Sequence, residues 1–538
     1  FSNNTFALYT PTLSASVNNS AVSVNGNQVI NSISQTSELP IQITVNTNNK
    51  TGYTATLNTE TNETALVNAD SASGAKIDSI STDLALNNLP NNTWGYKFGG
   101  TSNYAPIPAL STPAQIIQTA GKTNGNESNQ LSIGMKLADN LESGNYTNKL
   151  VISVISNPYE RRAVMTNGLD FNARVGNLDP NPAIYPDPIY PMPTKPSIKA
   201  FKRSTVAPAG SVSAINIEDP DISDYEIKAW YNATDQSVYY YTESNTVFVN
   251  RNSKLMFQWF TRIENLDFSN IDTSEVNTMH GMFYWMQNLK TINFGNFNTS
   301  KVADMTAMFG CTFSLTELDL SSFDTSNVTQ MSYMFHGTYV QKLDLSSFNT
   351  SNVINMYSMF EATSRLKEIK LGTNFNTEKV TNMGRMFTNT PVRVGLNLSN
   401  FNTSNVTNMA HMFGAMKNIE NLSLTSFDTR KVETMNGMFS SMQSLKTLDI
   451  SSFNTHSVTD MGYMFAINSG EPDNLTTIYA SDNFVTDNVA NGQGIFNYRK
   501  KLRGGNGSYL TDPSTADKSW LRIDDPTNGH PGYFTRKP

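Results

Sequence analysis

The sequence contains very little cysteine and very little charge. Cys311 is the only cysteine among 538 residues, which excludes an intramolecular disulfide and with it a small disulfide-stapled fold. Charged residues make up 15% of the chain, compared with roughly 25% in ordinary soluble domains. The net charge of −7 argues against the dense basic face that a nucleic-acid partner requires. Stability must therefore come from apolar burial spread along a chain long enough for several domains.

Long apolar runs and motifs for catalysis are also missing. No apolar run approaches the roughly 18–20 residues that span a membrane, and no His-Glu-x-x-His, Gly-x-Ser-x-Gly or phosphate-loop pattern occurs. An enzyme acting on glycans needs paired carboxylates in a cleft, which the sequence gives no way to assign. We therefore predict that the chain is not an enzyme and has no catalytic, cofactor-binding or metal site. The five histidines are scattered without ligand spacing: His280, His336, His411, His456 and His530.

Two charged clusters have alternative interpretations. Glu218, Asp219, Asp221 and Asp224 form an acidic run that could bind calcium. This run lacks the glycine-spaced calcium loop, so a solvated acidic loop is favoured. The basic residues within 499–503 could bind a polyanion, but plain exposure of cationic side chains to solvent is the simpler interpretation.

The second half of the chain contains an internal repeat with the pattern Val-x-x-Met-x-x-Met-Phe. Consecutive regular copies lie 25–27 residues apart, and a Leu-x-x-Leu-x-Leu pattern precedes them. A ninth copy, Val489–Phe496, has lost both methionines and follows an insertion near Asn468–Asp473. The regular copies are Val276–Phe283, Val302–Phe309, Val328–Phe335, Val353–Phe360, Val380–Phe387, Val406–Phe413, Val432–Phe439 and Val458–Phe465.

The two patterns predict one strand and one helix in each repeat. The last three positions of Leu-x-x-Leu-x-Leu alternate as in a half-buried strand. Val, Met, Met and Phe at i, i+3, i+6 and i+7 share one face of a helix, which would leave Ser358, for example, facing solvent. Stacked units of this kind predict an α/β leucine-rich-repeat solenoid with a parallel inner sheet. The Phe-Asn/Asp-Thr sequence between strand and helix is expected to form a tight bend, with Thr capping the helix.

The methionine columns have two interpretations. Methionine thioethers could bind a soft metal such as Cu(I). Because the methionines recur beside phenylalanine at a fixed position of the repeat, adaptable filling of the core is favoured.

The combination Phe-Asn/Asp-Thr-Ser-x-Val-x-x-Met-x-x-Met-Phe resembles the BspA-type leucine-rich-repeat surface proteins of bacteria. The resemblance extends from about residue 225 to residue 534, and it includes the entry segment 227–230 and the exit segment 531–534. It implies an exported protein displayed on the bacterial cell surface. Some members of that family are adhesins that bind host matrix proteins or other microbes. Any export signal is expected to have been removed or to lie outside the printed sequence.

The first third of the chain predicts an all-β domain followed by a spacer. Alternating apolar residues such as Ile41, Ile43 and Val45, separated by turn residues, indicate an immunoglobulin-like β-sandwich. A proline-rich stretch follows and predicts a semi-rigid linker. The predicted boundaries are 1–157 for the sandwich, 158–200 for the linker, 201–262 for an N-terminal solenoid cap, 263–485 for the solenoid and 486–538 for the decayed repeat and C-terminal cap.

The predicted contact surface is the outward side of the inner sheet, where solenoids commonly bind partners. Its positions are polar and nearly free of the aromatic and arginine anchors of tight interfaces. Either affinity is modest and surface display supplies avidity, or the binding face lies elsewhere, or this face is merely solvated. The candidate residues are Glu317, Asp319, Asp344, Lys370, Asn397, Ser423, Asp449 and Tyr479.

These observations predict a secreted protein of the bacterial cell surface that mediates adhesion through the solenoid. The expected partner is a protein or glycan on a host or neighbouring cell, with no nucleic-acid partner and no membrane span. The alternative is a structural subunit of a surface layer or filament, assembled through the N-terminal β-domain. The sequence does not identify the ligand.

Overall fold

The computed structural model describes residues 8–184, 193–392 and 396–537. The chain divides into two compact units. The first unit is Tyr9–Arg161, and the second begins at Arg162 and contains the repeats. Both units are rich in strands.

The N-terminal unit contains two main sheets that share one apolar core. Its elements are β1 (Leu13–Val17), α1 (Gly26–Ile30), β2 (Thr36–Thr47), β3 (Tyr53–Thr59), β4 (Leu66–Asn68), β5 (Lys76–Ser79), β6 (Leu84–Ala85), a 3₁₀ turn (Leu86–Asn88), β7 (Thr93–Phe98), β8 (Asn103–Tyr104), β9 (Ala114–Gln118), β10 (Glu127–Lys136), β11 (Tyr146–Thr147) and β12 (Leu150–Ser156). The larger sheet has the order β1-β2-β10-β7-β5-β4-β11, and the smaller has the order β12-β3-β9. Alternate residues of both sheets are buried together, among them Val45, Leu57 and Leu131.

The segment before the repeats is folded, including part of the stretch predicted as a linker. Its elements are β13 (Ala163–Val164), α2 (Gly168–Gly176), β14 (Ala183–Ile184), β15 (Pro193–Thr194), β16 (Ala200–Arg203), β17 (Ile215–Asn216), β18 (Lys228–Asn232), β19 (Ser237–Tyr241) and β20 (Val247–Phe248). Asn167 caps α2 by accepting a hydrogen bond from the Asp170 N–H, and α2 buries Phe171 and Val175 in the core. Residues 185–192 of the predicted linker lie outside the described residues.

The repeats stack in register and contain short parallel strands. These are β21 (Asn265–Asp267), β22 (Ile271–Asp272), β23 (Thr291–Asn293), β24 (Lys342–Leu345), β25 (Glu368–Leu371), β26 (Thr447–Asp449), β27 (Thr477–Ala480) and the C-terminal β28 (Phe534–Arg536). The continuous inner sheet that was predicted is interrupted in the described ranges, because these strands pair as β21-β23, β24-β25 and β26-β27-β28. A second row of contacts runs further, since parallel bridges join each repeat to the next from Asn252 to Asn491.

The predicted α/β leucine-rich-repeat solenoid is wrong, because the described repeats contain no α-helix. The residue before the second methionine has a left-handed backbone, with φ of +53° at Ala307 and +58° at Tyr333. One left-handed residue breaks the helical hydrogen-bond pattern, which needs right-handed residues throughout. Alternate N–H groups instead bind the next repeat, as Ala307 N–H does at the Ser332 carbonyl, 2.8 Å away. Each Val-x-x-Met-x-x-Met-Phe segment is therefore a series of turns, and Ser358, expected to face solvent, is buried.

The core of the stack is a column of parallel phenylalanine rings. From Phe283 to Phe496 successive rings of the repeats lie 5.4–5.9 Å apart, with interplanar angles of 3–23°. The valines and methionines of the pattern are buried beside them. Each ring contacts the ring before and the ring after it, so adjacent repeats bury one another's apolar surface.

The threonine of Phe-Asn/Asp-Thr does not cap a helix as predicted. Its buried hydroxyl bridges to the next repeat instead. Thr403 donates to the Asp428 carbonyl over 2.9 Å and accepts a hydrogen bond from the Asp428 N–H over 2.8 Å. The same pair of bonds joins Thr299 to Asp324 and recurs along the stack. Each bridge pairs the backbone N–H and the carbonyl of one residue in the next repeat.

The C-terminal segment covers the last repeats. It contains 3₁₀ turns at Pro513–Thr515, Lys518–Trp520 and Pro526–Asn528, and β28 extends the parallel sheet beside β27. Tyr533 packs on the ring of Phe496 at 4.7 Å, and Phe534 packs edge-on against Phe465 at 6.1 Å. In the described ranges no helix is long and apolar enough to cross a membrane.

Candidate functional site

Four of the predicted contact residues lie in the short strands, Asp344, Lys370, Asp449 and Tyr479, whereas Glu317, Asp319, Asn397 and Ser423 lie in segments without a strand. Exposed and buried residues alternate in β24, where Lys342 and Asp344 are exposed and Leu343 and Leu345 are buried. Among the candidates, two are half-buried and the others are exposed. The half-buried ones are Asp449 and Tyr479, and the exposed ones are Glu317, Asp319, Asp344, Lys370, Asn397 and Ser423.

The Asp and Asn residues of this row also form the turn after each strand. Asp344 accepts a hydrogen bond from the Ser346 N–H over 2.9 Å. The same contact is made by Asp319, Asn397 and Asp449 to the N–H two residues further on, each over 3.0 Å. This is the local turn that Asp and Asn side chains typically form. The sequence signal is the repeated Asp/Asn at a fixed position, from which the strand pattern predicts only a solvent-facing column.

Ion pairs across the strands engage part of the remaining charge. Lys342 Nζ lies 3.2 Å from Glu368 Oε2, and Lys370 Nζ lies 2.9 Å from Asp344 Oδ2. The Ser346 hydroxyl, followed by Lys370, lowers the pKa of Asp344 to about 2. Asp449 pairs with Lys537 of the C-terminal segment. The charged side chains of β24 and β25 are therefore paired with one another.

Glu317 and Asp319 differ from the other candidates because they line a groove. The groove has a volume of about 660 Å³ and lies beside β23, where the parallel sheet is interrupted. Its further lining includes Phe313 and Arg365. In the part of the chain that the structure describes, neither Glu317 nor Arg365 forms an ion pair.

Phe313, which lines this groove, belongs to a row of aromatic rings. The rings of Trp285 and Phe313 are 5.7 Å apart, and those of Phe313 and Tyr339 are 5.5 Å apart. The Arg365 guanidinium lies 4.4 Å from the centre of the Tyr339 ring. The sequence predicts a face nearly free of aromatic and arginine anchors, but Phe313 and Arg365, which are residues of the kind that dominate interfaces, line the groove. The repeat pattern did not reveal them because they follow the Met-Phe pair at varying intervals.

Carboxylates of the acidic run accept hydrogen bonds from backbone N–H groups. Glu218 and Asp224 are buried, and their carboxylates accept hydrogen bonds from the N–H groups of Ile227 and Arg162. Asp219 accepts from the Asn250 side chain over 2.8 Å. Among the described residues, no group of three or more His, Cys, Asp or Glu side chains is placed to hold a metal ion.

Arg499 of the basic patch is not a surface residue. Its side chain is 1% exposed, and it donates to Asp473 over 3.2 Å and to the Phe465 carbonyl. Burial lowers the pKa of the Arg499 guanidinium, while Asp473 opposes this effect. The insertion after the eighth repeat thus supplies the counter-ion of a buried arginine.

Cys311 packs inside the stack. The thiol is buried, and burial raises its pKa to about 12, which keeps it protonated and unreactive. Its backbone is left-handed, with φ of +58°, and its N–H binds the His336 carbonyl.

Comparison with known proteins identifies one family. The model of the family described as "Mycoplasma protein of unknown function, DUF285" matches residues 251–373, 366–478 and 416–519. The three matches overlap, and together they span 251–519, which is half of the chain and contains the stacked repeats. No curated protein and no solved structure matches the chain.

Proposed function

The chain belongs to the family described as Mycoplasma protein of unknown function, DUF285, and from this premise we propose that it is a secreted bacterial surface protein that adheres to a protein or glycan. The stacked repeats present the contact surface, and the groove lined by Glu317, Phe313 and Arg365 is its centre. The resemblance to BspA-type surface proteins, noted from the repeat motif, agrees with this proposal.

The observation that carries the proposal is the unpaired charge beside aromatic rings in the groove. Glu317 and Arg365 are exposed and form no ion pair among the described residues. Phe313 is half-buried, lines the same groove and supplies an apolar surface. A partner with both polar and apolar groups gains charge-assisted hydrogen bonds and ring contacts at one place. The groove is open, so single-site affinity is modest and display in many copies supplies avidity.

The proposal is tested by a binding screen of the full chain against matrix proteins, glycans and whole cells. Arg365→Glu and Glu317→Lys are expected to weaken attachment, and the difference from the wild type is expected to shrink as salt screens the surface. Lys446→Glu and Glu420→Lys are matched controls, since both residues are exposed and lie outside the groove. Equal attachment by all four variants and the wild type would overturn the groove as the contact site.

A second candidate function is supported by strand β12 of the N-terminal unit. Among the residues that the structure describes, this edge strand pairs only with β3. It contains the uncharged sequence LVISVIS and leaves Ile155 61% exposed. Edge strands without charge or proline favour pairing with another chain. A structural subunit assembled through β12 would form polymers that Ile155→Lys disrupts. A monodisperse monomer in light scattering at high concentration would exclude this function.

A further inference from the structure

A buried lysine contacts a buried asparagine in the segment that precedes the repeats. The side chain of Lys195 is fully buried, and its Nζ contacts Asn172 Oδ1 and lies 3.2 Å from the Gln258 carbonyl. Gly176 on α2 makes room for this side chain, because a Cβ at Gly176 would lie 2.7 Å from Lys195 Cε. Asn172 is also fully buried, so solvent does not compete for either group.

The amide nitrogen of Asn172 lies within hydrogen-bond distance of three backbone carbonyls. Asn172 Nδ2 lies 2.9 Å from the Leu255 carbonyl, 3.3 Å from that of Met256 and 2.8 Å from that of Gln258. An amide nitrogen carries two hydrogens, so it cannot satisfy three carbonyls fully. A departing ammonia molecule carries three. The site is therefore more complementary to the leaving group than to the amide.

We propose that Lys195 and Asn172 join in an intramolecular isopeptide bond. The lone pair of the neutral Lys195 amine attacks Asn172 Cγ and forms the new C–N bond. The Cγ–Nδ2 bond breaks, and one proton passes from Nζ to Nδ2, which leaves as ammonia. The products are a secondary amide between the two side chains and one molecule of ammonia, so no oxidant or further reactant is needed.

The surroundings favour the nucleophilic form of the lysine. Burial lowers the pKa of Lys195 to about 7, and the charge of Asp179 opposes this shift. A desolvated lysine near neutral pKa is the form used as a nucleophile in proteins. The ring of Phe260 lies 5.0 Å from Nζ and adds apolar shielding. The bond would close a loop across the proline-rich segment and tie it to α2.

The test is the intact mass of the purified full chain, followed by peptide mapping. The wild type is expected to be lighter than its sequence mass by about 17 Da, the mass of ammonia. Digestion is expected to yield a branched peptide that joins residues 172 and 195. Lys195→Met and Asn172→Ala are each expected to have the full mass calculated from their own sequences.

Two outcomes would overturn the proposal. The first is a wild-type chain at its full sequence mass, with Asn172 and Lys195 recovered in separate linear peptides after incubation at mildly alkaline pH. The second is an ammonia loss that maps to another residue. The wild-type measurement decides the question even if a substitution prevents folding, because it needs no variant.

Discussion

Lys370 lies directly opposite Asp344 across the parallel strands β24 and β25, and its Nζ is 2.9 Å from Asp344 Oδ2. The same carboxylate accepts the Ser346 N–H and so forms the turn that ends β24. The exposed Asp344 side chain thus makes two interactions within the fold, an ion pair and a turn hydrogen bond. Replacing it tests the local structure as well as any surface contact.

Asp344→Asn is expected to be more stable than Asp344→Ala. Asparagine keeps the oxygen that accepts the Ser346 N–H, as Asn397 does in its own repeat, whereas alanine loses the turn bond and the ion pair together. Chemical denaturation of the two variants measures the order. Equal stability would mean that the turn bond contributes nothing.

The pH dependence of Asp344 follows from its low pKa. The Ser346 hydroxyl and Lys370 lower this pKa from its ordinary value of 3.8 to about 2. A carboxyl whose pKa is depressed in the folded state contributes stability above its unfolded pKa, and that contribution is lost as pH falls from about 4 to about 2. An NMR titration of the side-chain carboxyl is expected to show the low midpoint. A midpoint near 3.8 would contradict these contacts.

Phe360→Ala is expected to lower the free energy of unfolding by about 3–5 kcal/mol, because it removes a ring from the middle of the buried column. Ile354→Ala is the matched control, since Ile354 lies in the same repeat with its side chain 43% exposed. Its cost is expected to stay under about 1 kcal/mol. Urea denaturation compares the two. Similar losses would show that the rings do not form the core.

Thr403→Val is expected to cost about 1–3 kcal/mol, because valine leaves the Asp428 N–H and carbonyl without their partner in a buried position. Thr403→Ser keeps the hydroxyl and loses only a methyl group, so its cost is expected to be smaller. The comparison isolates the hydrogen bonds from the packing. If serine destabilises as much as valine, the methyl group and not the bridge stabilises this position.

Asp473→Ala is expected to destabilise the chain by about 3–5 kcal/mol, because it leaves the buried Arg499 charge without its carboxylate. Adding Arg499→Met to this variant is expected to recover much of the loss, since no buried charge then remains. A double-mutant cycle by chemical denaturation measures the coupling. Additive losses would show that the pair is not coupled.

The repeat register and the core were predictable from the sequence, but the backbone of the repeats was not. Val, Met, Met and Phe are buried as expected, because apolar residues that recur at fixed positions of a stacked repeat face the core whether the backbone is a helix or a series of turns. The spacing i, i+3, i+6 and i+7 suits a helix and also suits a coil of successive turns. Gly281, Gly437 and Gly494 stand at the left-handed position in three repeats, and this was the sequence signal against a helix.

The candidate site was predictable in part. The strand pattern identified Glu317 and Asp319, which line the groove, whereas Phe313 and Arg365 follow the Met-Phe pair without a fixed spacing. Lys195 lies in a stretch whose prolines indicate a spacer, so its burial was not visible in the sequence. Burial of such groups depends on contacts with residues far along the chain, which local patterns do not report.

The left-handed residue before the second methionine of the repeat has a consequence for the chemistry of the surface. Backbone bonds to the next repeat hold this position, which carries glycine, alanine, tyrosine, serine, arginine or histidine in different repeats. Tyr333 and Tyr463 are 38% and 37% exposed there. Hydrogen bonds with the neighbouring backbone hold this conformation, so the exposed Tyr333 and Tyr463 contribute surface chemistry without forming the turn, whereas Ser358 at the same position is buried. Where this position is exposed, its side chain can therefore differ from repeat to repeat while the turn stays the same.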